Sequence, residues 1–328
     1  MKNIAIIGSG TWGCALAIHL SKLGHNIKVW SFTDEEFKDI NINKECKFLK
    51  GIKLKDNIKS TLDFEDAIKD SDYILHVTPS KFFRETIKKY KHLILNKPVI
   101  ICSKGFEESS LLTLGEVFLE EVGNENYGVL YGPSHAEELA VEVPTTLVIA
   151  SKKSFIRDDI SEIFSNDNMK IFKTEDVIGT QIGGALKNII AFASGITLSI
   201  GNVGDNTISA LITRGLAEIA NLGVAMGAKK ETFYGLTGLG DIIATSMSKH
   251  SRNRQAGLLI GQGKSISETK EEIGMIIESI DNINTAYLLA KKYNVEMPIV
   301  NAVYDILYNN LEPKMSLKNL MNYPIDTE

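Results

Sequence analysis

Asn3-Ile4-Ala5-Ile6-Ile7-Gly8-Ser9-Gly10-Thr11-Trp12-Gly13 is the stretch of the chain that decides its fold. Its apolar start has the length of a buried parallel strand. A helical pattern follows from Cys14 to Leu23 and ends at Gly24, and His25 to Trp30 has the pattern of a second strand. Strand, glycine turn, helix and second strand in this order predict a dinucleotide-binding domain.

Each glycine of this turn has a predicted task. Gly8 permits the tight turn, and Gly10 lets the backbone approach a pyrophosphate. Gly13 lets helix and strand pack closely, while the helix N-terminus offers N–H groups and a positive dipole to phosphates. The alternatives are a mononucleotide site and a purely structural glycine turn.

Further strand and helix units follow the first. We predict strands at Tyr73–Thr78, Pro98–Cys102, Tyr127–Tyr131, Thr145–Ser151 and Met169–Lys173, and a helix at Ser80–Tyr90. From Thr174 onward only helices and loops are indicated. The sequence thus predicts an α/β protein with an N-terminal Rossmann-type doubly wound sheet in residues 1–175 and an all-helical C-terminal domain in residues 176–328.

Composition narrows the function classes. The 328 residues carry a net charge of −5, which argues against general nucleic-acid binding. No transmembrane segment or cleavable leader is indicated, so we expect a cytoplasmic protein. The three cysteines are widely spaced and odd in number, which fits neither a disulfide framework nor a zinc site.

Lys187 is the only charged residue between Val177 and Gly204. Helical periodicity places it on a stripe of small residues, opposite an apolar face. Small residues let another body approach closely, so Lys187 is a candidate for gripping or protonating a ligand oxygen. The alternative is a buried stem whose ammonium reaches solvent.

Residues at the predicted strand ends are candidates for binding an anion, since ligands of such sheets lie beyond the carboxyl ends of the strands. Lys104 follows one strand, and it is either a ligand group or an ordinary surface lysine. Ser134 follows another, and its hydroxyl can cap a helix or donate to a ligand.

The helical half offers three more candidates. Asp241 ends a glycine-rich stretch that we expect to be a shaped loop, and it either serves the site or caps the next helix. Ser251 and Arg252 open a short helix, an arrangement that binds phosphate but is also a common cap with surface arginines. Glu278 can hydrogen-bond a ribose or an amide, or face water.

Six motifs taken together resemble the bacterial NAD(P)-dependent glycerol-3-phosphate dehydrogenases, in the same order over nearly the whole chain. They are Gly8-Ser9-Gly10-Thr11-Trp12-Gly13, Ser103-Lys104-Gly105, Gly132-Pro133-Ser134-His135-Ala136, Gly183-Gly184-Ala185-Leu186-Lys187-Asn188, Leu236-Thr237-Gly238-Leu239-Gly240-Asp241 and Ser251-Arg252-Asn253. The resemblance implies reversible reduction of dihydroxyacetone phosphate to sn-glycerol 3-phosphate with NAD or NADP, feeding glycerophospholipid synthesis. A homodimer is a further possibility that the sequence leaves open.

The resemblance also implies roles for individual residues. Lys187 matches the proton acceptor of the family. The positions that match substrate contacts are Lys104, Gly132, Ser134, Lys187, Asp241, Ser251, Arg252 and Asn253. Those expected to bind the coenzyme are Gly8, Gly10, Thr11, Trp12, Gly13, Phe32, Lys104, Ala136, Arg252, Ile276 and Glu278.

Coenzyme choice is decided just past the second strand, where an acidic residue favours NAD and an arginine accepts the extra phosphate of NADP. Phe32 stands where the family often carries a basic residue. Asp34 and Glu35 follow too late to be placed on the ribose, although their charge would repel a 2′-phosphate if the loop folded back. We therefore expect NADH to be at least as good as NADPH.

Two other function classes compete with this interpretation. One is a two-domain dehydrogenase that acts on a β-hydroxy acid, in which the anion site would hold a carboxylate and phosphate-free substrates would turn over. The other is a nucleotide sensor that binds NAD(H) without oxidising any substrate. The placement of Lys187 on a small-residue face argues against the sensor.

Overall fold

The computed structural model describes residues 1–324. Two compact units make up the chain. The first contains Met1–Glu107 and Leu112–Val177, and the second contains Glu108–Leu111 and Ile178–Glu328. The first unit is built on a β-sheet, and the second is helical. The predicted fold class is confirmed.

The sheet of the first unit has eight strands. The strands of this unit are β1 (Asn3–Ile7), β2 (Asn26–Trp30), β3 (Ile58–Thr61), β4 (Tyr73–His76), β5 (Val99–Ile101), β6 (Phe106–Glu107), β7 (Leu112–Thr113), β8 (Tyr127–Tyr131), β9 (Thr145–Ala150) and β10 (Met169–Thr174). The sheet order is β10-β9-β8-β5-β4-β1-β2-β3, and β6 pairs with β7 separately. Within the sheet, β8 and β9 are antiparallel, whereas the other neighbours are parallel.

Seven helices connect these strands. They are α1 (Thr11–Lys22), α2 (Asp34–Lys38), α3 (Phe64–Ile68), α4 (Phe83–Ile94), α5 (Leu114–Val122), α6 (Ala136–Ala140) and α7 (Ser154–Phe164). The predicted helix at Ser80–Tyr90 begins as a 3₁₀ turn at Ser80–Phe82 and continues as α4 to Ile94. Our strand predictions omitted β3, because Ile58 is the only apolar residue among its four.

Alternation along β1 explains why the sheet is covered on both faces. Ile4 and Ile6 belong to the core cluster that includes side chains of α1 and α7. Ala5 and Ile7 belong to the opposite cluster, with side chains of α3, α4 and α5. Because successive strand residues point to opposite faces, a strand that is apolar at every position requires helices on both sides.

The second unit consists of helices around one long central helix. That helix is α8 (Val177–Ser199), whose first residue belongs to the first unit. The helices that follow it are α9 (Asp205–Ala225), α10 (Lys230–Phe233), α11 (Asp241–Met247), α12 (Arg252–Gly261), α13 (Ile266–Ile273), α14 (Glu278–Lys292), α15 (Pro298–Tyr308) and α16 (Pro313–Met321). Only helices and loops were expected from Thr174 onward, but Thr174 is the last residue of β10, and α8 begins at Val177.

Within residues 1–324, two helices, α8 and α9, are long and apolar enough by length and composition to cross a membrane. The core helix of a folded protein passes the same test. Most of α8 is buried inside the protein, 89% of its most apolar window, as a core helix requires. In α9 the corresponding share is 44%, and that helix carries Arg214 and Glu218 near its middle.

Glu218 is a buried carboxyl group on α9. It accepts hydrogen bonds from the N–H groups of Ile299 (2.8 Å) and Val300 (3.3 Å) at the start of α15. Burial raises the pKa of Glu218 to about 8, against the opposing effect of these two hydrogen bonds. The folded protein thus holds the proton of Glu218 more tightly than an unfolded chain does.

We expect Glu218 to make the free energy of unfolding pH-dependent. An unfolded glutamate has a pKa of about 4.3, so the contribution of the bound proton is complete below that pH and is lost as the pH rises through about 8. The Gln side chain in Glu218→Gln stays neutral at every pH. The free energy of unfolding of this variant should therefore rise, relative to that of the wild type, by on the order of 3 kcal/mol when the pH is raised from about 4.5 to about 9. Urea unfolding at both pH values measures the gain, with the exposed Glu271→Gln as control. A difference between wild type and variant that is the same at both pH values would contradict the prediction.

Candidate active site

The glycine turn after β1 has the geometry that a bound pyrophosphate requires. Gly8 has φ +122°, and a Cβ at Gly13 would lie 2.0 Å from the Gly8 carbonyl oxygen. A Cβ at Gly10 would meet nothing within 4 Å, so the backbone there faces open space. In the described residues the buried Thr11 Oγ1 has no hydrogen-bond partner, at the first residue of α1. These residues fit a dinucleotide, with N–H groups and a hydroxyl available to its phosphates.

The turn also lies at the point where the strand order reverses, between β1 and β4. A Cβ at Gly8 would lie 3.1 Å from the backbone of Val77, just past β4. His76 ends β4 and is fully buried, with its ring nitrogens 2.7 Å from the Tyr90 hydroxyl and 2.5 Å from the Thr78 hydroxyl. Burial lowers the pKa of His76 to about 3, so the neutral ring fixes the Thr78 side chain beside the turn. Nothing in our sequence patterns had pointed to His76.

Three predicted substrate residues lie together in the first unit. Lys104 follows β5, and its Nζ donates to the Gly132 carbonyl (3.3 Å) beyond the neighbouring β8. The same ammonium lies 5.6 Å from the centre of the Tyr131 ring. Ser134 also donates to the Gly132 carbonyl (3.2 Å). It does not cap α6, whose N-cap is His135, so the capping alternative for Ser134 is wrong.

The remaining predicted coenzyme residues of this unit follow the strands β1, β2 and β8. Trp12 and Ala136 pack, partly buried, against one core cluster. Phe32 follows β2 and is 75% exposed.

In the second unit Lys187 lies inside the protein. Only 6% of the residue is exposed, so the alternative in which its ammonium reaches bulk solvent is wrong. Its Nζ forms an ion pair with Asp241 and donates a hydrogen bond to the Thr245 hydroxyl (2.9 Å). Asp241 is itself fully buried. A charge in such a place must be paired, since an isolated buried ion costs several kcal/mol.

Asp241 reaches Lys187 because of the glycines before it. The expected loop is instead one π-helical turn, Leu236–Gly240, which runs into α11. This turn packs onto α8, where a Cβ at Gly183 would lie 2.3 Å from the Thr237 carbonyl oxygen. The capping alternative for Asp241 is wrong, since Gly240 is the N-cap and Asp241 is already helical. Thr245 lies one helical turn after Asp241 on the same face, the spacing that could have revealed it in the sequence.

A chain of amide and carboxylate groups continues from the neighbour of Lys187. The side-chain amide of Asn188 donates to the Glu278 carboxylate (2.7 Å), and that of Asn253 donates to the side-chain oxygen Oδ1 of Asn188 (3.0 Å). The Asn253 oxygen in turn accepts from the Ser279 N–H (3.0 Å). These bonds fix the amide orientations and tie α8, α12 and α14 together. Asn188 was part of a quoted motif, but it was not among our predicted site residues.

Arg252 and Ser251 begin α12. The Ser251 hydroxyl accepts from the Arg254 N–H (3.2 Å), so this serine caps the helix. Arg252 Nη1 donates to the Ile276 carbonyl (3.1 Å), which brings two of the predicted coenzyme residues together. A Cβ at Gly257 of α12 would lie 2.0 Å from the Phe192 carbonyl oxygen of α8, so these helices cross in direct backbone contact.

Among residues 1–324, no group of three or more histidine, cysteine, aspartate or glutamate side chains is arranged to hold a metal ion. The polar groups described so far are lysines, an arginine, carboxylates and amides.

A doubly wound unit with a dinucleotide-binding turn, together with a helical unit that carries a buried lysine, defines the two-domain class of NAD(P)-dependent dehydrogenases. A family model described as "NAD-dependent glycerol-3-phosphate dehydrogenase N-terminus" matches residues 3–156, and the corresponding C-terminus model matches residues 176–318. The chain belongs to the NAD-dependent glycerol-3-phosphate dehydrogenase family, and the resemblance deduced from its motifs is confirmed.

Individual relatives agree with this assignment. The glycerol-3-phosphate dehydrogenase [NAD(P)+] of Fusobacterium nucleatum is 44% identical over 325 residues, covering 98% of this chain and 97% of the relative. That of Bacillus subtilis is 42% identical over 326 residues, covering 98% and 94%. The crystal structure of the Coxiella burnetii enzyme superimposes with a TM-score of 0.93 at 34% identity, covering 98% of both chains.

Proposed function

We propose that this oxidoreductase catalyses the reversible reduction of dihydroxyacetone phosphate to sn-glycerol 3-phosphate with NAD(P)H. The product feeds glycerophospholipid synthesis. The observation that carries the proposal is the buried Lys187, held by Asp241 and Thr245, in a chain of this family.

The chemistry of the reaction explains why a buried lysine is needed. The reduced coenzyme supplies a hydride to the carbonyl carbon of the substrate. Negative charge then develops on the carbonyl oxygen, and a cation that stabilises and protonates this oxygen lowers the barrier. We propose Lys187 Nζ as that cation. In the direction of oxidation its neutral amine takes the hydroxyl proton of glycerol 3-phosphate.

Asp241 and Thr245 direct the ammonium of Lys187. The carboxylate binds one N–H of the ammonium, and the Thr245 hydroxyl accepts another. An ammonium has three N–H donors, and we propose that one of them is offered to the substrate oxygen during the reaction. Because the three groups are buried, little water competes for this hydrogen bond, which increases its electrostatic strength.

We propose Arg252 and Asn253, at the N-terminus of α12, as the anchor of the substrate phosphate. A guanidinium group binds phosphate through paired N–H donors, and the helix dipole favours negative charge at this end. The Ile276 carbonyl holds the Arg252 guanidinium in place. Lys104, Gly132, Ser134 and Ser251 are the further substrate contacts implied by the family.

We place the enzyme in the cytoplasm, and we propose a homodimer as its working state. Light scattering coupled to size-exclusion chromatography distinguishes a dimer from the 36.2-kDa monomer.

Replacing Lys187 should abolish most of the activity. Lys187→Ala is expected to lower kcat at least ~10²-fold, the scale of general acid–base catalysis. Since this variant leaves Asp241 buried without its lysine, the double variant Lys187→Met/Asp241→Asn removes both charges and tests the same step in a better-compensated fold. NADH consumption with dihydroxyacetone phosphate measures kcat, and circular dichroism checks the fold. Near-normal kcat in a folded variant would remove Lys187 from the mechanism.

Replacing Arg252 should weaken recognition of the phosphate. Arg252→Ala is expected mainly to raise KM for dihydroxyacetone phosphate, on the order of tenfold or more, because a charge-assisted phosphate contact is lost. Phosphate-free dihydroxyacetone, a poor substrate already, should lose little further activity and serves as the internal control. Equal losses for both substrates would show that Arg252 does not bind the phosphate.

We propose that both coenzymes support the reaction and that NADH has a kcat/KM at least equal to that of NADPH. The exposed Phe32, in the place of a basic residue, supports this preference. Phe32→Arg should move the ratio of kcat/KM toward NADPH, because a guanidinium accepts the 2′-phosphate. A wild-type preference for NADPH of about tenfold or more would mean that another cation binds the 2′-phosphate.

A further inference from the structure

The connection between β2 and α2 differs from what its sequence indicated. Ser31 continues the line of β2 and is buried, with its hydroxyl 2.7 Å from that of Ser60. Thr33 is the N-cap of α2, and its hydroxyl accepts from the Glu36 N–H (3.2 Å). The chain therefore turns sharply after Phe32 and brings the first turn of α2 back to the end of the strand.

Glu36 is the residue that folds back. A single oxygen of its carboxylate, Oε2, accepts from the N–H of Phe32 (3.1 Å) and from the N–H of Thr33 (3.2 Å). These are the first two N–H groups beyond Ser31. The neighbouring Glu35 differs, because its carboxylate pairs with Lys47 (3.1 Å). Glu36 thus places a negative charge at the end of β2.

This place matters for coenzyme binding. The end of β2 lies beside the glycine turn, since Ile7 pairs with Trp30 and the Gly8 N–H donates to the Trp30 carbonyl (3.1 Å). In dinucleotide-binding sheets the ribose of the adenosine lies next to the end of the second strand, where its 2′-substituent is recognised. Phosphates bind readily to exposed backbone N–H groups, and here two such groups are taken by Glu36.

The charge of Glu36 also acts toward the glycine turn. The pKa of the Cys14 thiol, which follows Gly13, is raised by a hydrogen bond with Cys46 and by burial, and Glu36 adds to the rise. Lysines are numerous in this part of the chain, but arginine, the residue that accepts the 2′-phosphate in NADP-binding sheets, does not occur here. The first arginine of the sequence is Arg84.

We propose that Glu36 is a coenzyme-specificity residue, which disfavours NADPH by occupying the N–H groups of Phe32 and Thr33 and by repelling the 2′-phosphate. The proposal rests on the proposed function only in that the first unit binds NAD(H). In this proposal Glu36 takes the place of the acidic residue that follows the second strand in NAD-binding sheets. Glu36 lies about one helical turn further along the sequence, and the fold brings its carboxylate back to the end of β2.

The competing interpretation is that Glu36 only stabilises α2, since it forms a capping box with Thr33. A capping box stabilises a helix start and has no effect on coenzyme choice. Glutamine serves this capping position as well as glutamate does. Glu36→Gln therefore removes the charge while keeping the helix cap, and it separates the two interpretations.

The experiment measures coenzyme binding directly. Dissociation constants of NADH and NADPH are determined by isothermal titration calorimetry for the wild type, Glu36→Gln, Glu36→Ala and the control Glu35→Gln. The pair 5′-AMP and 2′,5′-ADP tests the adenosine end alone. We expect the ratio Kd(NADPH)/Kd(NADH) to fall about tenfold in Glu36→Gln, the Coulomb scale for a carboxylate beside a phosphate in water. Glu36→Ala should lower it at least as far, and Glu35→Gln by less than about twofold, because Glu35 is already paired with Lys47.

Salt provides a second test. Raising the ionic strength should lower the ratio Kd(NADPH)/Kd(NADH) of the wild type, whereas the same ratio for Glu36→Gln should change much less. An unchanged ratio Kd(NADPH)/Kd(NADH) in Glu36→Gln overturns the proposal. An equal change of this ratio in Glu35→Gln also overturns it, because the overall charge of α2 would then explain the coenzyme preference. The proposal is also overturned if the wild-type protein binds neither NADH nor NADPH. If the Kd ratios of the variants change as expected but the wild type does not turn over dihydroxyacetone phosphate, the proposed reaction is refuted and the role of Glu36 stands.

Discussion

The helical unit depends on the buried ion pair between Lys187 and Asp241. An isolated charge would cost several kcal/mol in this environment, and here the two opposite charges are buried together. The pair also requires that α11 be held against α8 with little freedom. An ion pair of this kind adds little to stability compared with apolar residues of the same volume. Its presence at the centre of a long apolar helix is therefore best explained by chemistry.

Glycine makes this arrangement sterically possible. Side chains at Gly183 or Gly257 would overlap carbonyl oxygens of the neighbouring segment at 2.3 Å and 2.0 Å, so the backbones meet directly. The small-residue stripe seen in the sequence thus receives protein backbone, and this contact brings Asp241 and Asn253 to α8. In the first unit Gly13 and Gly8 make the same kind of contact, there between a helix and the end of a strand.

Negative charge is used in different ways along this acidic chain. Asp241 balances a lysine, and Glu278 accepts from an amide within a fixed chain of hydrogen bonds. Glu218 of α9 is buried against the start of α15, and the proton it retains removes most of the cost of burial. Glu36 binds exposed N–H groups instead. Coenzyme and substrate are both anions, so carboxylates near their binding positions affect where those anions can bind.

The sequence alone determined the fold class and the family, because both depend on local patterns. The glycine turn between strand and helix, the continuous apolar strands and the lone Lys187 can each be read within one turn or one strand. Tertiary structure alone decided which partners these residues have. Thr245, Asn188 and His76 act through neighbours distant in sequence or through burial, and Glu36 acts through a turn whose direction depends on the packing of Ser31. Periodicity shows which face of an element is apolar, but it carries no information about which side chain from another segment will lie opposite.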